Sequence, residues 1–164
     1  MNKKPASRRL VLALMGLGLL VGGCGFSPVY SQNGAGIGPV NIAPIDGRTG
    51  YFLEQELHQL AVLEKQDTTP RNLKIKLTRD FSNIALGQDS FYKRIKINYS
   101  VEYTLEAGNN RPEIKGNFAD SIAFSGSANP YSEVSLQKDA EQKAAKEIAD
   151  RIWRELLIKT NATK

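Results

Sequence analysis

Hydrophobic and polar residues alternate with different periods along the chain, and the changes of period divide it into strands and helices. Residues 40–43 alternate as a short strand, and Asp46-Gly47 supplies a turn. From about Gly50 to Glu64 the apolar positions recur at helical spacing, with Thr49 placed to cap the helix. The apolar stripe occupies one side only, so we expect this helix to pack on one face through Phe52, Leu53, Leu57, Leu60, Ala61 and Leu63.

Three strands with a period of two follow. The first begins at Arg71, the second spans Ile95 to Glu106, and the third runs from about Glu113 to Ser125. Residues 107–110 form the tip of a hairpin between the last two. The positions predicted to face inward are Leu73, Ile75, Leu77, Ile95, Ile97, Tyr99, Val101, Tyr103, Leu105, Ile114, Phe118, Ile122 and Phe124. Asp120 interrupts this face and is interpreted as a rim residue or a local bulge.

The last predicted element is a long helix that runs to about Lys159, with Ser132 placed to cap it. Its inward positions recur at four-residue steps and are rich in alanine, which permits close approach to a sheet: Ala140, Ala144, Ile148, Ile152 and Leu156, widened by Ala145, Ala149 and Trp153. The order β-α-β-β-β-α predicts an α+β fold, in which two helices pack on one face of a four-stranded, mostly antiparallel sheet. The other face of such a sheet is solvated, and a partner would be sought there.

The N-terminus has the three regions of a secretory signal. Four basic residues (Lys3, Lys4, Arg8 and Arg9) precede the apolar run Leu10–Val21, and Gly22-Gly23 leads to Cys24. A bilayer-spanning helix needs about 20 apolar residues, so this run is too short to be an anchor. We expect residues 1–23 to be a lipoprotein signal peptide and Cys24 to receive S-diacylglycerol and N-acyl chains. The alternative is that Cys24, the only cysteine, is a buried or free thiol.

Removing the signal changes both the organisation and the charge of the chain. Residues 24–38 are rich in Gly, Ser, Asn and Pro and are interpreted as a flexible tether, which leaves 39–164 as one domain. The full chain has 22 Lys and Arg against 17 Asp and Glu, but without the four basic residues of the signal the balance becomes 18 against 17. The net charge therefore gives no argument for nucleic-acid binding, and any function that depends on positive charge must come from a local group of basic residues.

Catalytic chemistry has little support in the sequence. His58 is the only histidine and has no cysteine or second histidine with which to share a metal. Sequences of the type GxSxG, HExxH or a phosphate-binding glycine loop do not occur, and the glycines at 34, 36 and 38 follow no strand. We therefore expect a protein that is not an enzyme, with no cofactor and no metal site.

One local feature favours ligand binding. Lys74, Lys76, Arg94 and Lys96 occupy outward positions of neighbouring strands, with Lys93 and Arg79 nearby. If these strands pair, the four form a basic patch that could meet the phosphates of an anionic lipid. The competing interpretation is a solvated strand face whose charges deter aggregation through the sheet edge.

Three segments of the chain resemble a known family. They are the start of the predicted mature chain, Cys24–Tyr30 (CGFSPVY), the segment Ile42–Gly50 (IAPIDGRTG) that enters the first helix, and Asn129–Ser132 (NPYS) before the Ala-rich helix. All three are similar to LptE, the lipoprotein of lipopolysaccharide assembly, in its alphaproteobacterial form. The resemblance covers essentially the whole mature chain in element order, and the family's sheet-and-two-helix fold agrees with the layout above.

The resemblance implies a role without catalysis. LptE-like proteins are lipid-anchored in the outer membrane, face the periplasm and the barrel lumen, plug the LptD β-barrel, assist its assembly and take part in delivering lipopolysaccharide to the cell surface. The residue after Cys24 is Gly25 and not an acidic residue, which agrees with sorting to the outer membrane. An alternative is an envelope binding module that regulates cell-wall synthesis or serves a transporter, since fold does not fix function. A hydrolase built around His58 is a third hypothesis.

Overall fold

The computed structural model describes residues 36–64, 69–84, 94–108 and 110–162. The predicted signal peptide, Cys24 and the tether up to residue 35 lie outside the described residues, as does Lys93. The elements are β1 (Val40–Ile42), α1 (Gly47–Val62), β2 (Arg71–Ile84), β3 (Arg94–Leu105), β4 (Ile114–Ser125) and α2 (Pro130–Ala162). The four strands form one sheet in the order β1-β2-β3-β4, with the helices packed on it. This confirms the predicted fold class.

The sheet combines one parallel and two antiparallel pairings. β1 runs parallel to β2, with Val40 opposite Arg71, because α1 carries the chain back between them. β2 and β3 pair from Leu73↔Leu105 to Ile84↔Arg94, and β4 continues the antiparallel arrangement. We call the end of the sheet at Ile84, Arg94 and Ser125 the hairpin end. The opposite end, where residues 36–38 join the domain, is the tether end.

The inward-facing residues of the strands and of the helices pack together in one hydrophobic core. All six predicted inward residues of β3, from Ile95 to Leu105, are at most 8% exposed, and the two tyrosines among them are 2% exposed. Ala144, Ala145 and Ala149 of α2 are at most 2% exposed, so the helix packs closely as its small residues predict. The predicted core is therefore confirmed along most of the sheet.

Both helices begin earlier than predicted. α1 starts at Gly47, after an extended Asp46, and Thr49 is buried in the first turn and is not the cap. Gly47 has φ +84°, a left-handed conformation that glycine adopts without a steric cost. α2 starts at Pro130, which suits a first helical position because its missing N–H would have no partner there. The Asn129 side chain, and not Ser132, accepts a hydrogen bond from the first turn, from the Tyr131 amide at 3.0 Å.

Two further details narrow or correct the sequence interpretation. Asp120 pairs with Tyr99 in an uninterrupted register, so β4 has no bulge there, and the carboxylate accepts a 2.7 Å hydrogen bond from the Ser121 amide. Ile37 is fully buried, so the last residues of the predicted tether belong to the folded domain. The buried Ile37 side chain and the hydrogen bonds that Gly36, Ile37 and Gly38 form with Arg111 and Glu64 hold this stretch against the core.

Candidate functional site

The four predicted lipid-contacting cations all lie on the face of the sheet opposite the helices, which we call the open face. The register divides them into two pairs. Lys76 lies opposite Glu102, whereas Lys96 lies opposite Ser82, six residues further along β2. At about 3.3 Å per strand residue, the pairs are about 20 Å apart. The structure therefore brings Lys74 near Lys76 and Arg94 near Lys96, but it does not unite all four.

The pair at the tether end is neutralised by carboxylates. Lys74 forms an ion pair with Glu106, and Lys76 lies 3.8 Å from Glu102. Glu106 also accepts a 2.9 Å hydrogen bond from the Asn72 amide group. The hydrogen bonds from Lys74 and Asn72 lower the pKa of Glu106, and the same carboxylate raises the pKa of Lys74. This pair matches the interpretation of a solvated strand face with balanced charge.

The pair at the hairpin end has a different environment. None of the ion pairs formed among the described residues includes Arg94 or Lys96. Arg94 lies between Ile84 and Ser125, and Lys96 lies between Ser82 and Ala123. These neighbours are short or apolar, and Ile84 is 37% exposed. Among the described residues, the hairpin end of the open face therefore holds two cations that form no ion pair, beside the exposed aliphatic side chain of Ile84.

Arg79 does not belong to this patch, because it points to the helix face. There it meets Glu141, a fully buried carboxylate of α2, at 3.2 Å. Arg48 of α1 donates two hydrogen bonds to Glu141, of 2.6 and 3.0 Å, and Gln137 donates a third of 2.8 Å. We call these four residues the Glu141 cluster. One feature of the sequence could have indicated this cluster: Glu141 is an acidic residue at an inward position of α2, beside Ala140.

Burial acts to raise the pKa of Glu141, but the hydrogen bonds from Arg48 and Gln137 and the positive charges of Arg48 and Arg79 outweigh it and lower the pKa. The carboxylate is therefore charged at neutral pH. The Glu141 cluster joins α1, β2 and α2 at the level where α1 begins. Sequence reasoning did not predict it, because its members are far apart along the chain.

A second polar cluster lies closer to the tether end. The Tyr103 hydroxyl donates to Glu155 at 2.6 Å and accepts from Lys159 at 3.0 Å. Burial first, and then the contact with Glu155, raise the pKa of Tyr103, so its hydroxyl stays protonated. Lys159 also donates to the Lys115 carbonyl at 2.7 Å, which fixes the end of α2 beside the start of β4. This arrangement positions helix and sheet.

His58 lies on the solvent side of α1, where its side chain is 55% exposed and 3.8 Å from Glu54. Within the part of the chain that the structure describes, no hydrogen bond joins His58 to a hydroxyl group, and no three His, Cys, Asp or Glu residues are grouped as metal ligands. No helix among the described residues is long and apolar enough to span a bilayer.

No protein-family model matches this chain, and no curated protein matches it. Solved structures do share its fold. A candidate lipoprotein from Caulobacter crescentus CB15 superposes with a TM-score of 0.58 at 22% identity, over 76% of this chain and 92% of that one. The rare lipoprotein B from Shewanella oneidensis superposes with a TM-score of 0.53 at 11% identity, over 73% of this chain and 92% of that one. The described domain therefore has the same fold as these two proteins.

Proposed function

We propose that this chain is an outer-membrane lipoprotein of the LptE type, which plugs an LptD-like β-barrel, assists its assembly and helps to deliver lipopolysaccharide. The predicted lipoprotein signal that precedes Cys24, the three LptE-like segments and a fold shared with rare lipoprotein B support this proposal. The role is one of binding, without catalysis. The observation that carries it is the hairpin end of the open face, where Arg94 and Lys96 form no ion pair with any described residue.

The chemistry of this end suits a phosphorylated glycolipid. Arg94 offers a planar guanidinium that can hold a phosphate through two hydrogen bonds, and Lys96 adds a second charge. Ile84, opposite Arg94 in the sheet, gives an apolar contact next to them. An amphiphile with phosphates beside acyl chains matches this combination. Lys74 and Lys76 contribute less in this proposal, because Glu106 and Glu102 already neutralise them.

Charge reversal of the two pairs tests the assignment with a built-in control. Arg94→Glu with Lys96→Glu changes the net charge by the same amount as Lys74→Glu with Lys76→Glu, and all four residues lie on the same face. We expect the first double variant to lose most lipopolysaccharide binding at low salt, and the second to lose less. Binding of purified lipopolysaccharide is measured by fluorescence titration at fixed ionic strength, after circular dichroism has shown that both variants are folded. Equal losses, or a greater loss in the control, would contradict the assignment.

The barrel partnership requires a separate test. Affinity purification of the full chain from detergent-solubilised outer membrane is expected to recover a large β-barrel protein in stable complex. Recovery of no barrel protein would overturn the plug role. Depletion of the chain is expected to reduce surface lipopolysaccharide, whereas altered peptidoglycan with normal lipopolysaccharide would favour the alternative of a cell-wall regulator.

A further inference from the structure

The tether end of the domain exposes aliphatic side chains where both helices finish. Val62 and Leu63, at the end of α1, are 76% and 82% exposed, so the prediction that Leu63 packs on the core is wrong, and Ile158 near the end of α2 is 55% exposed. Single exposed aliphatic residues are common, but two consecutive ones that are more than three-quarters exposed are a specific apolar feature. Glu64, the next residue, does not compete with them, because its carboxylate is turned towards the Gly38 amide at 3.2 Å.

The same end holds the start of the folded chain. Arg111 donates hydrogen bonds to the carbonyls of Gly36 and Ile37, at 2.9 and 3.0 Å. Together with the contact between Gly38 and Glu64, these bonds place the exit of the chain towards Cys24 beside the end of α1. Cys24 lies twelve residues before Gly36, so a lipid on Cys24 is at most about 40 Å from this point. The bilayer that holds the lipid is therefore within reach of Val62 and Leu63.

We propose that Val62 and Leu63 form a second membrane contact, in which they enter the headgroup–acyl boundary of the bilayer that holds the lipid on Cys24. This inference rests on the lipid anchor of the proposed function. The contact orients the domain with its tether end on the membrane. Arg94 and Lys96, near the other end of the twelve-residue strand β3, then lie about 30–36 Å from Leu105 at the tether end of that strand.

Tethering makes such a small contact effective. Two aliphatic side chains bind a bilayer weakly by themselves, because apolar burial scales with the area buried. An attached lipid turns their binding into an intramolecular event at high effective concentration, so a weak contact becomes populated. The lipid alone leaves the orientation of the domain free, whereas the second contact restricts it.

Site-directed fluorescence on the full lipidated chain tests this contact. Leu63→Cys and, as a control, Val134→Cys each receive a polarity-sensitive label, since Cys24 is blocked when it is acylated. Val134 is 57% exposed and lies near the start of α2, so it is a matched aliphatic site at the hairpin end. The proteins are reconstituted in phosphatidylethanolamine–phosphatidylglycerol vesicles that contain an acyl-chain quencher. We expect blue-shifted, quenched emission at position 63 and water-like emission at position 134.

Adding Val62→Asp to the labelled Leu63→Cys chain is expected to reverse the blue shift while the protein still floats with the vesicles. Equal emission and quenching at both labelled sites would overturn the contact. Mass spectrometry of Cys24 and vesicle flotation report on the anchor separately. Flotation with an unquenched label at position 63 defeats this inference alone, whereas loss of flotation defeats the anchor and this contact together.

Discussion

The Glu141 cluster is the point in the domain where removing one charge has the largest expected effect. Glu141→Gln keeps the size and shape of the side chain but removes the charge that balances Arg48 and Arg79. Removing one partner of a buried ion pair costs about 3–5 kcal/mol when the other partner stays buried. Here the Arg48 and Arg79 side chains are 39% and 41% exposed and can regain water. We therefore expect a loss of about 2 kcal/mol in the free energy of unfolding.

The chain contains its own probe for this measurement. Trp153 is the only tryptophan and is 6% exposed in the core, so its fluorescence reports unfolding. A loss of about 2 kcal/mol lowers the urea midpoint by about 1 M. Glu147→Gln, at an exposed position on the same helix, is the matched control and should change stability by less than about 0.5 kcal/mol.

The pH dependence gives an independent check on the charge. Because the folded state lowers the pKa of Glu141, it binds this proton less readily than the unfolded chain does. The stabilisation is therefore complete above the ordinary value of 4.5 and is lost as the pH falls through the folded-state pKa. The difference between wild type and Glu141→Gln should be constant at neutral pH and shrink as the pH falls below about 4.5. A difference that does not shrink at acid pH, or a variant as stable as Glu147→Gln, would refute the reasoning.

Two further predictions concern the cluster around Tyr103. A Cβ at Gly116 would lie 2.6 Å from the Tyr103 ring carbon Cε1 and closer still to its hydroxyl, so Gly116→Ala should destabilise the domain by about 1–3 kcal/mol in urea titrations. Gly108→Ala, whose Cβ approaches only a side-chain carbon at 3.3 Å, should cost clearly less, and equal costs would argue against a steric cause. Tyr103→Phe removes the hydroxyl that forms hydrogen bonds with Glu155 and Lys159, so it should lower the free energy of unfolding by about 1 kcal/mol in thermal denaturation. An unchanged melting temperature would show that water replaces both hydrogen bonds without cost.

The candidate site shows how far the sequence could lead. Alternation along β2 and β3 correctly placed Lys74, Lys76, Arg94 and Lys96 on one face of the sheet, because side-chain direction in a strand depends only on local spacing. It did not predict that the first pair faces Glu106 and Glu102 while the second pair has no carboxylate partner among the described residues. Opposing residues in a sheet are far apart in the chain, so the charge balance of a patch is a property of register.

The order of the elements, the face that each of them buries and most of the core could be predicted from the residues alone. These features follow from periods of 2 and 3.6 residues, which are local and persist in any arrangement of the chain. The starts of both helices, the separation of the cations and the Glu141 cluster became known only from the folded domain. The separation of the cations and the Glu141 cluster depend on contacts between distant segments, such as the 93 residues that separate Arg48 from Glu141, and local patterns carry no record of such distances.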